Sequence, residues 1–322
     1  MDNILYKCLY PVLLHKAAYK GYYRLSKVLL KKEGIQVNQV DRYGATPLFE
    51  AAFNGHDKIV SLLLAKEEIQ VNQVNKYGDT PLDWATYFGH HKVVKMLLSR
   101  EEIQVNLANQ RGDTPLLVAI KRGNKEVTDL LLEREDIRVN EVDQKGWTPL
   151  NMAAFKGYHD IVNSLLENEG IEVDLANEEG ETPLIWAIRK GYDKVVKLLL
   201  GNEAIQVNRA DEHGETPLSE AVGRGHAKIV EMLLEKGDIQ VNKAENTGVT
   251  PLYMAAENGH EQVVKTLLKK HGIEVNKADN AGNTPISVAA DHRHGKIVDL
   301  LLGTDEIRAV GWDGWRPNAT PA

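Results

Sequence analysis

Two histidine pairs are the first residues in this chain with a type and spacing suited to chemistry: His90 with His91, and His292 with His294. Imidazoles set one or two positions apart are candidate ligands for zinc or a similar borderline cation. The carboxylate pairs Glu67-Glu68 and Glu101-Glu102 raise a second possibility, acid and base catalysis, which needs two carboxyl groups held in unlike environments. Cys8, the single cysteine, is the one thiol available as a nucleophile. None of these develops into a centre. His56, His90, His226, His260 and His294 occupy one position of a recurring pattern, directly after a glycine (Arg293 in the last case), and read as structural. The carboxylate pairs fall in polar connecting stretches, and Cys8 sits in no nucleophile motif. Every recurrent glycine fits a helix stop or a turn rather than a phosphate-cradling loop. The sequence predicts no catalytic residue, no cofactor and no metal.

Composition narrows the classes further. The 322 residues are 43% hydrophobic and 26% charged, ordinary values for a globular chain, with a formal net charge of -7. An acidic balance argues against general nucleic-acid binding, which requires a basic surface to displace counterions from phosphate. One cysteine excludes a disulfide within the chain and points to a reducing compartment. The N-terminal residues lack the apolar core of a secretion signal, so Asn318-Ala319-Thr320, which has the form of a glycosylation acceptor, is read as chance. No run of roughly 18 apolar residues exists to span a bilayer. The expectation is a soluble protein, cytoplasmic or nuclear, monomeric on its own, with neither nucleic acid nor membrane among its partners.

Self-similarity sets the organisation. Thr-Pro-Leu begins at Thr46, Thr80, Thr114, Thr148, Thr182, Thr216 and Thr250, and Thr-Pro-Ile at Thr284, always 34 residues apart. A double leucine follows in register, from Leu29-Leu30 to Leu301-Leu302, and then an Ile-x-Val element, from Ile35 and Val37 to Ile273 and Val275. Each residue has a physical task. Thr46 is placed to cap a helix by accepting from the free amides of its first turn, and Pro47 to follow where a missing N–H costs nothing. Eight of the eleven prolines hold this slot, and none is expected to interrupt a helix. Leu48, Ala51 and Ala52 give a short helix its apolar stripe, and Gly55 ends it by tolerating the left-handed conformation. Ile59, Val60, Leu63 and Leu64 form the buried face of a second helix. Ile69 and Val71 read as a brief extended segment, and Asn75-Lys76-Tyr77-Gly78 as a turn. Because each layer buries its face against its neighbours, a chain of this length can be one array rather than two or three domains.

Helix, turn, helix and projecting hairpin is the plan of the ankyrin repeat. Asp41 to His56 carries nearly all of that family's Asp-x-x-Gly-x-Thr-Pro-Leu-x-x-Ala-Ala-x-x-Gly-His pattern. Over about residues 9–309 the chain resembles the ankyrin repeat family. The resemblance implies an all-α solenoid of stacked helix-turn-helix units with protruding β-hairpin loops. It would comprise an N-terminal capping repeat at 1–38, seven central repeats over 39–276, a C-terminal capping repeat at 277–310 and a non-repeat tail at 311–322. Two departures stand out. The family's histidine after Pro-Leu is replaced by Phe49, Asp83, Leu117, Asn151, Ile185, Ser219, Tyr253 and Ser287, which leaves its usual hydrogen-bond network without that residue. The period is 34 rather than the family's 33, the extra residue lying around Ala65 to Glu68. Tetratricopeptide repeats share the 34-residue period, but their proline sits near the end of the second helix. Asn38, Asn72, Asn106, Asn140, Asn208, Asn242 and Asn276 recur after valine, with Asp174 breaking the series. They read as braces of the hairpin, and the resemblance allows hydroxylation there. The first repeat carries Tyr6, Tyr10, Lys16, Lys20, Tyr22 and Tyr23, a compromise between packing and solvent, and Trp312 and Trp315 of the tail read as folding back on the last repeat.

In this family partners contact the hairpin tips and the concave face of the inner helices, so recognition positions vary where structural ones repeat. The tips read Arg42/Tyr43/Ala45, Lys76/Tyr77/Asp79, Gln110/Arg111/Asp113 and Gln144/Lys145/Trp147, then turn acidic at Glu178/Glu179/Glu181 and Glu212/His213/Glu215. The two residues before each glycine stop read Tyr19/Lys20, Phe53/Asn54, Tyr87/Phe88, Lys121/Arg122, Phe155/Lys156, Arg189/Lys190 and Gly223/Arg224, with no acid until Glu257 and Asp291. Cations complement the dipole at a helix C-terminus, which accounts for the lysines and arginines but not for the aromatic residues. Aromatic and arginine side chains together are what binding hot spots favour. The candidate partner site comprises Tyr43, Tyr77, Arg111 and Trp147 at the tips, with Phe53, Tyr87, Phe88, Lys121, Arg122, Phe155, Lys156, Arg189 and Lys190 on the inner helices. Trp84 and Trp186, one helical turn earlier, extend it. The functional expectation is a protein–protein interaction scaffold, not an enzyme, holding an acidic and hydrophobic segment of another protein in a groove over repeats two to six. The alternative is a sensing or adaptor array of a larger receptor whose effector domain is absent.

Overall fold

Capping chemistry defines the elements. In a computed structural model, which describes residues 2–309 with side chains from 9 to 307, Thr46 is extended and its hydroxyl accepts the Phe49 amide, Pro47 opens the helix, and Gly55 follows it at φ 70°. The same threonine cap recurs through to Thr284. The tail 311–322 with Trp312 and Trp315, and the side chains of Tyr6 and Cys8, lie outside the described residues.

The chain divides into two units, residues 1–179 and 180–322. The N-terminal unit holds α1 (Asp2–Lys20), α2 (Tyr23–Leu29), α3 (Pro47–Phe53), α4 (Asp57–Leu64), α5 (Pro81–Tyr87), α6 (His91–Leu98), α7 (Pro115–Lys121), α8 (Lys125–Leu132), α9 (Pro149–Lys156) and α10 (His159–Leu166). Odd-numbered helices pack on one another in an inner row, even-numbered ones in an outer row, and each pair is bonded by its own apolar stripe. The C-terminal unit repeats the plan with α11 (Pro183–Arg189), α12 (Asp193–Leu200), α13 (Pro217–Gly223), α14 (Ala227–Leu234), α15 (Pro251–Glu257), α16 (Glu261–Leu268), α17 (Pro285–Asp291) and α18 (Gly295–Leu302), closed by α19 (Asp305–Ala309). The fold is an all-α repeat solenoid. Leu48, Ala51 and Ala52 on the inner row, with Ile59, Val60, Leu63 and Leu64 on the outer, are all buried, as the stripe of each helix requires. Among the described residues no helix is long and apolar enough to cross a membrane.

Two details differ from the sequence expectation. Pro11 lies inside α1, so one proline does interrupt a helical hydrogen-bond ladder, because this first inner helix runs on upstream of the slot where later ones begin. Ile69 and Val71 are buried but form no strand, and the described residues contain none. The amides that a strand would pair are taken locally: Ile69 N–H bonds Lys66 O at 3.2 Å, and Gln70 N–H bonds the Asn38 side chain at 2.9 Å. Neighbouring tips are joined instead by single backbone bonds, Lys76 N–H to Tyr43 O at 2.9 Å being one. That approach explains Gly44, whose φ is 78° and where a Cβ would come within 3.1 Å of the Lys76 nitrogen.

Repeat one covers repeat two through α1 on α3 and α2 on α4. Its exposed side mixes Leu9, Val12, Leu25 and Val28 with Lys16 and Lys27. Deleting residues 1–38 uncovers Leu48 and Ile59, now 0% and 1% exposed. Each such side chain is worth about 1.5–3 kcal/mol of burial, so the truncated chain is expected to aggregate. Light scattering after gel filtration checks this, and a monomer of full helix content per residue would show that repeat one caps nothing.

Candidate functional site

The last turns of the inner helices carry the variable residues, and recurring side chains hold those turns in place. His56 Nε2 bonds the Tyr19 carbonyl at 3.1 Å and His90 Nε2 the Phe53 carbonyl at 3.1 Å, each reaching back one repeat. In the C-terminal unit His260 and His294 do the same to Gly223 and Glu257, at 3.0 Å each. These four histidines are thus struts under the face; among the described residues no three His, Cys, Asp or Glu side chains converge on a metal position. The Val-Asn asparagines brace the loops as well. Asn72 donates to Glu102 O at 2.7 Å and accepts from Gln104 N–H at 2.9 Å, and Asn38, Asn106, Asn140 and Asn242 repeat this two-way contact. The place of the missing family histidine is filled in several ways. Asp83, Ser219 and Ser287 close capping boxes with their threonines, and Asn151 bonds Leu175 O at 2.9 Å. Sequence reading missed one further set of braces: Arg100 and Arg134 bond the Leu64 and Leu98 carbonyls at 3.2 Å, capping the outer helix one repeat before. Their 34-residue spacing after the double leucine is the signal that could have found them.

On this framework α3 and α5 bring four of the candidate residues into one cluster. Trp84 sits at its centre, 5.1 Å from Phe53, 5.3 Å from Tyr87 and stacked 5.6 Å from Phe88, with Phe53 and Phe88 edge-on at 5.0 Å. Phe53 and Trp84 are half-buried, whereas Tyr87 and Phe88 stay 39% and 46% exposed. Such ring pairs contribute about 0.5–1.5 kcal/mol each beyond their area, so the rings support one another without a partner. At the tips, the Lys76 ammonium lies between the rings of Tyr43 (4.4 Å) and Tyr77 (4.9 Å). Trp147 and Phe155 form a second group, edge-on at 5.2 Å, with Lys156 over Phe155 at 5.6 Å. Arg111 is exposed.

The cations divide into two kinds. Arg122 is exposed and lies over the Tyr87 ring at 4.3 Å. Lys121 is committed to the protein itself: its Nζ bonds Asp113 and, at 2.8 Å, Asp143. Burial would lower the pKa of this ammonium, but the two carboxylates outweigh burial and raise it. In the C-terminal unit Arg189 lies over Trp186 at 5.5 Å and is likewise paired, with Glu181 and with Glu220 at 3.2 Å; the neighbouring Lys190 is more exposed than Arg189. A row of like charges on paper is therefore partly neutralised within each unit. The reason is geometric: stacking brings the last turn of an inner helix against the acid of the tip before it and an acid of the next tip or next inner helix.

Below Trp84 and Tyr87, a cleft of about 200 Å³ opens between α5 and α7 and the tips that precede them, lined among others by Asp79, Asp83, Asp113, Lys121 and Arg122. Asp83 is 3% exposed, and burial, opposed by its bonds to Thr80 and aided by the charges of Asp79 and Asp113, pushes its carboxyl up to about 7. These carboxylates appear in the sequence reading as tip residues and as a departure from the family pattern, not as members of the candidate site. The available signal was that Asp83 is the one acid at the position after Pro-Leu.

The model for ankyrin repeats in three copies matches residues 14–109, 101–177, 169–244 and 238–309. Among solved structures, the chain is similar to the ankyrin repeat domain of Bcl-3, described as a unique member of the IkappaB protein family. The two are 26% identical over 71% of this chain and 100% of that one, with a TM-score of 0.64. It is also similar to EF0377, an ankyrin repeat protein, at 26% identity over 59% of this chain and 97% of the other, with a TM-score of 0.56. No curated protein matches the chain. With the family pattern running from residue 14 to residue 309, and the caps, struts and helix rows that it requires in place, this chain belongs to the ankyrin repeat family.

Proposed function

We propose that the chain is a protein-binding scaffold rather than an enzyme, and that it holds a segment of a partner protein on the inner-helix face of repeats two to five. Ankyrin repeats are interaction modules in general, and one observation supports this position for the contact. Tyr87 and Phe88 are exposed at the end of α5, in ring contact with Trp84 and Phe53. Apolar residues of the partner cover this cluster, and its acidic residues meet two exposed cations, Arg122 over Tyr87 and, further along the face, Lys156 over Phe155. Lys121 contributes little to that attraction because its charge is matched within the chain. The same face serves whether the chain acts alone, as a monomer, or as the sensing array of a larger receptor. A single cysteine fits a cytoplasmic or nuclear setting.

The test is capture from a cell lysate by the wild-type chain, then binding kinetics with the purified partner. Phe88→Ala is expected to cost about 2 kcal/mol, seen as roughly thirty-fold faster dissociation with association little changed. Reversing Arg122 and Lys156 to glutamate is expected to slow association and flatten its salt dependence, since exposed charge steers the encounter. Reversal at Glu178 and Glu179 is the control. A partner lost by the control and retained by Phe88→Ala would move the site to the acidic tips.

A further inference from the structure

Repeat one exposes positions that every later repeat buries. Its helices α1 and α2 pack on α3 and α4, and their other side faces out of the stack. Leu25 stands where repeats two to nine carry a valine or isoleucine, Ile59 to Ile297, each no more than 2% exposed; Leu25 is 39% exposed. Val12 holds the place of the capping threonines, buried from Thr46 to Thr250, and is also exposed. Leu9 and Val28 join them on the surface, with Tyr19 and Tyr22 nearby in sequence.

The charge of this end has one sign. From Asn3 to Lys32 there is no aspartate or glutamate, in a chain whose net charge is -7. Lys16, Lys20, Arg24, Lys27, Lys31 and Lys32 are all exposed. Helical spacing sets them among the apolar residues. Leu9, Val12 and Lys16 follow one stripe of α1, and Leu25, Val28 and Lys32 follow one stripe of α2 and its end. Lys20 and Lys27 lie over the rings of Tyr19 and Tyr23, at 4.9 and 6.0 Å. Among the described residues none of the six cations meets a carboxylate, in contrast to Lys121 and Arg189.

We propose that this end of repeat one docks on an anionic lipid bilayer, its leucines, valines and tyrosines entering the headgroup boundary and its lysines meeting the lipid phosphates and carboxylates. The proposal is independent of partner docking on the inner-helix face. Composition favours lipid over protein here. Protein interfaces are depleted in lysine and enriched in arginine, whereas five of these six cations are lysines. A lysine stem lies along apolar surface while its ammonium reaches the headgroups, and tyrosine suits the same boundary. Anionic lipid attracts each cation near the surface, and the apolar side chains add the part that salt does not screen. The contact is peripheral, so it needs no helix able to cross a bilayer, and there is none among the described residues. The expectation of no membrane partner rested on the length of apolar runs, which a surface contact does not use.

The experiment sediments the full chain with vesicles of phosphatidylcholine alone and with vesicles carrying roughly 30% phosphatidylserine, at about 0.1 M and about 0.5 M salt. Binding is expected to the anionic vesicles only, and to weaken at the higher salt. Lys16→Gln with Lys27→Gln is expected to weaken it about thirty-fold, each cation being worth about a factor of five. Leu25→Ser with Val28→Ser is expected to weaken it about ten-fold. Lys92→Gln with Lys194→Gln, at exposed positions on α6 and α12, is the control and should leave it unchanged. Helix content is measured for every variant; Lys16 and Lys27 are exposed, so that pair decides the matter even if the serine variant unfolds. No binding to anionic vesicles, equal binding to both kinds, or a lysine variant no weaker than the control would each overturn the proposal. If vesicles do not bind and an acidic protein is captured by the wild type but not by the Lys16 and Lys27 variant, this end is a protein interface instead.

Discussion

Asp83→Asn is expected to stabilise the folded chain above neutral pH, by up to about 4 kcal/mol near pH 8, and to change little near pH 4. The folded-state pKa of Asp83 stands at about 7 against an ordinary 3.8, burial being the largest cause. A carboxyl whose pKa is raised on folding binds its proton more tightly in the folded state. The stability it contributes is fully present below the unfolded pKa and is lost as pH rises through the folded one. In the wild type that loss falls between about pH 4 and 7, and asparagine has no proton to lose. The amide oxygen of asparagine can still take the Thr80 amide, so the cap on α5 is kept. Urea unfolding at a series of pH values measures the difference. Wild type and variant with parallel pH profiles would mean that Asp83 is hydrated and titrates as an ordinary surface carboxylate.

Leu131→Ala should lower stability by about 2–5 kcal/mol, as core leucine truncations do. Leu131 is 0% exposed on α8, which packs on its partner α7 and on α6 and α10 of the neighbouring repeats. A lesion there removes contacts on both sides of one layer at once. Stability in a stacked array is close to a sum of repeat and nearest-neighbour terms, so coupling fails locally before the whole chain unfolds. Urea unfolding followed by helix content is therefore expected to split, the N-terminal unit melting first and the C-terminal unit near its original midpoint. A single sharp transition at the wild-type midpoint would contradict both the burial and the local coupling.

Much of the fold is legible at the level of residues a few positions apart. Thr46 reaches Phe49 and Gly55 closes the same helix, so their spacing is enough to place α3. Ile59, Val60, Leu63 and Leu64 share a face by helical geometry alone. Recurrence carries further: His56 and Asn72 act across repeats, yet their roles are readable because the same residue returns at the same place. The aromatic residues before the glycines were visible for the opposite reason, being more apolar than a helix end needs. Ile69 and Val71 alternate as a strand does but pair with no other strand, because the amides around them are bonded in turns and to Asn38.

The amino-acid sequence by itself determined the period, the caps, the two helix rows and the membership of the inner-helix ends in one variable series. Tertiary structure alone decided which charges in that series are available. Lys121 looked like a free cation, but stacking brings it against Asp143, 22 residues on, as well as Asp113. Asp83 looked like one substituent among eight at its position, and burial left one of its oxygens without a donor. Both outcomes depend on side chains from different tips and helices meeting in one cleft. A repeat fixes where its backbone lies through local bonds and nearest-neighbour packing, whereas the charge balance of a cleft is a sum over non-repeating residues that only the stacked layers bring together.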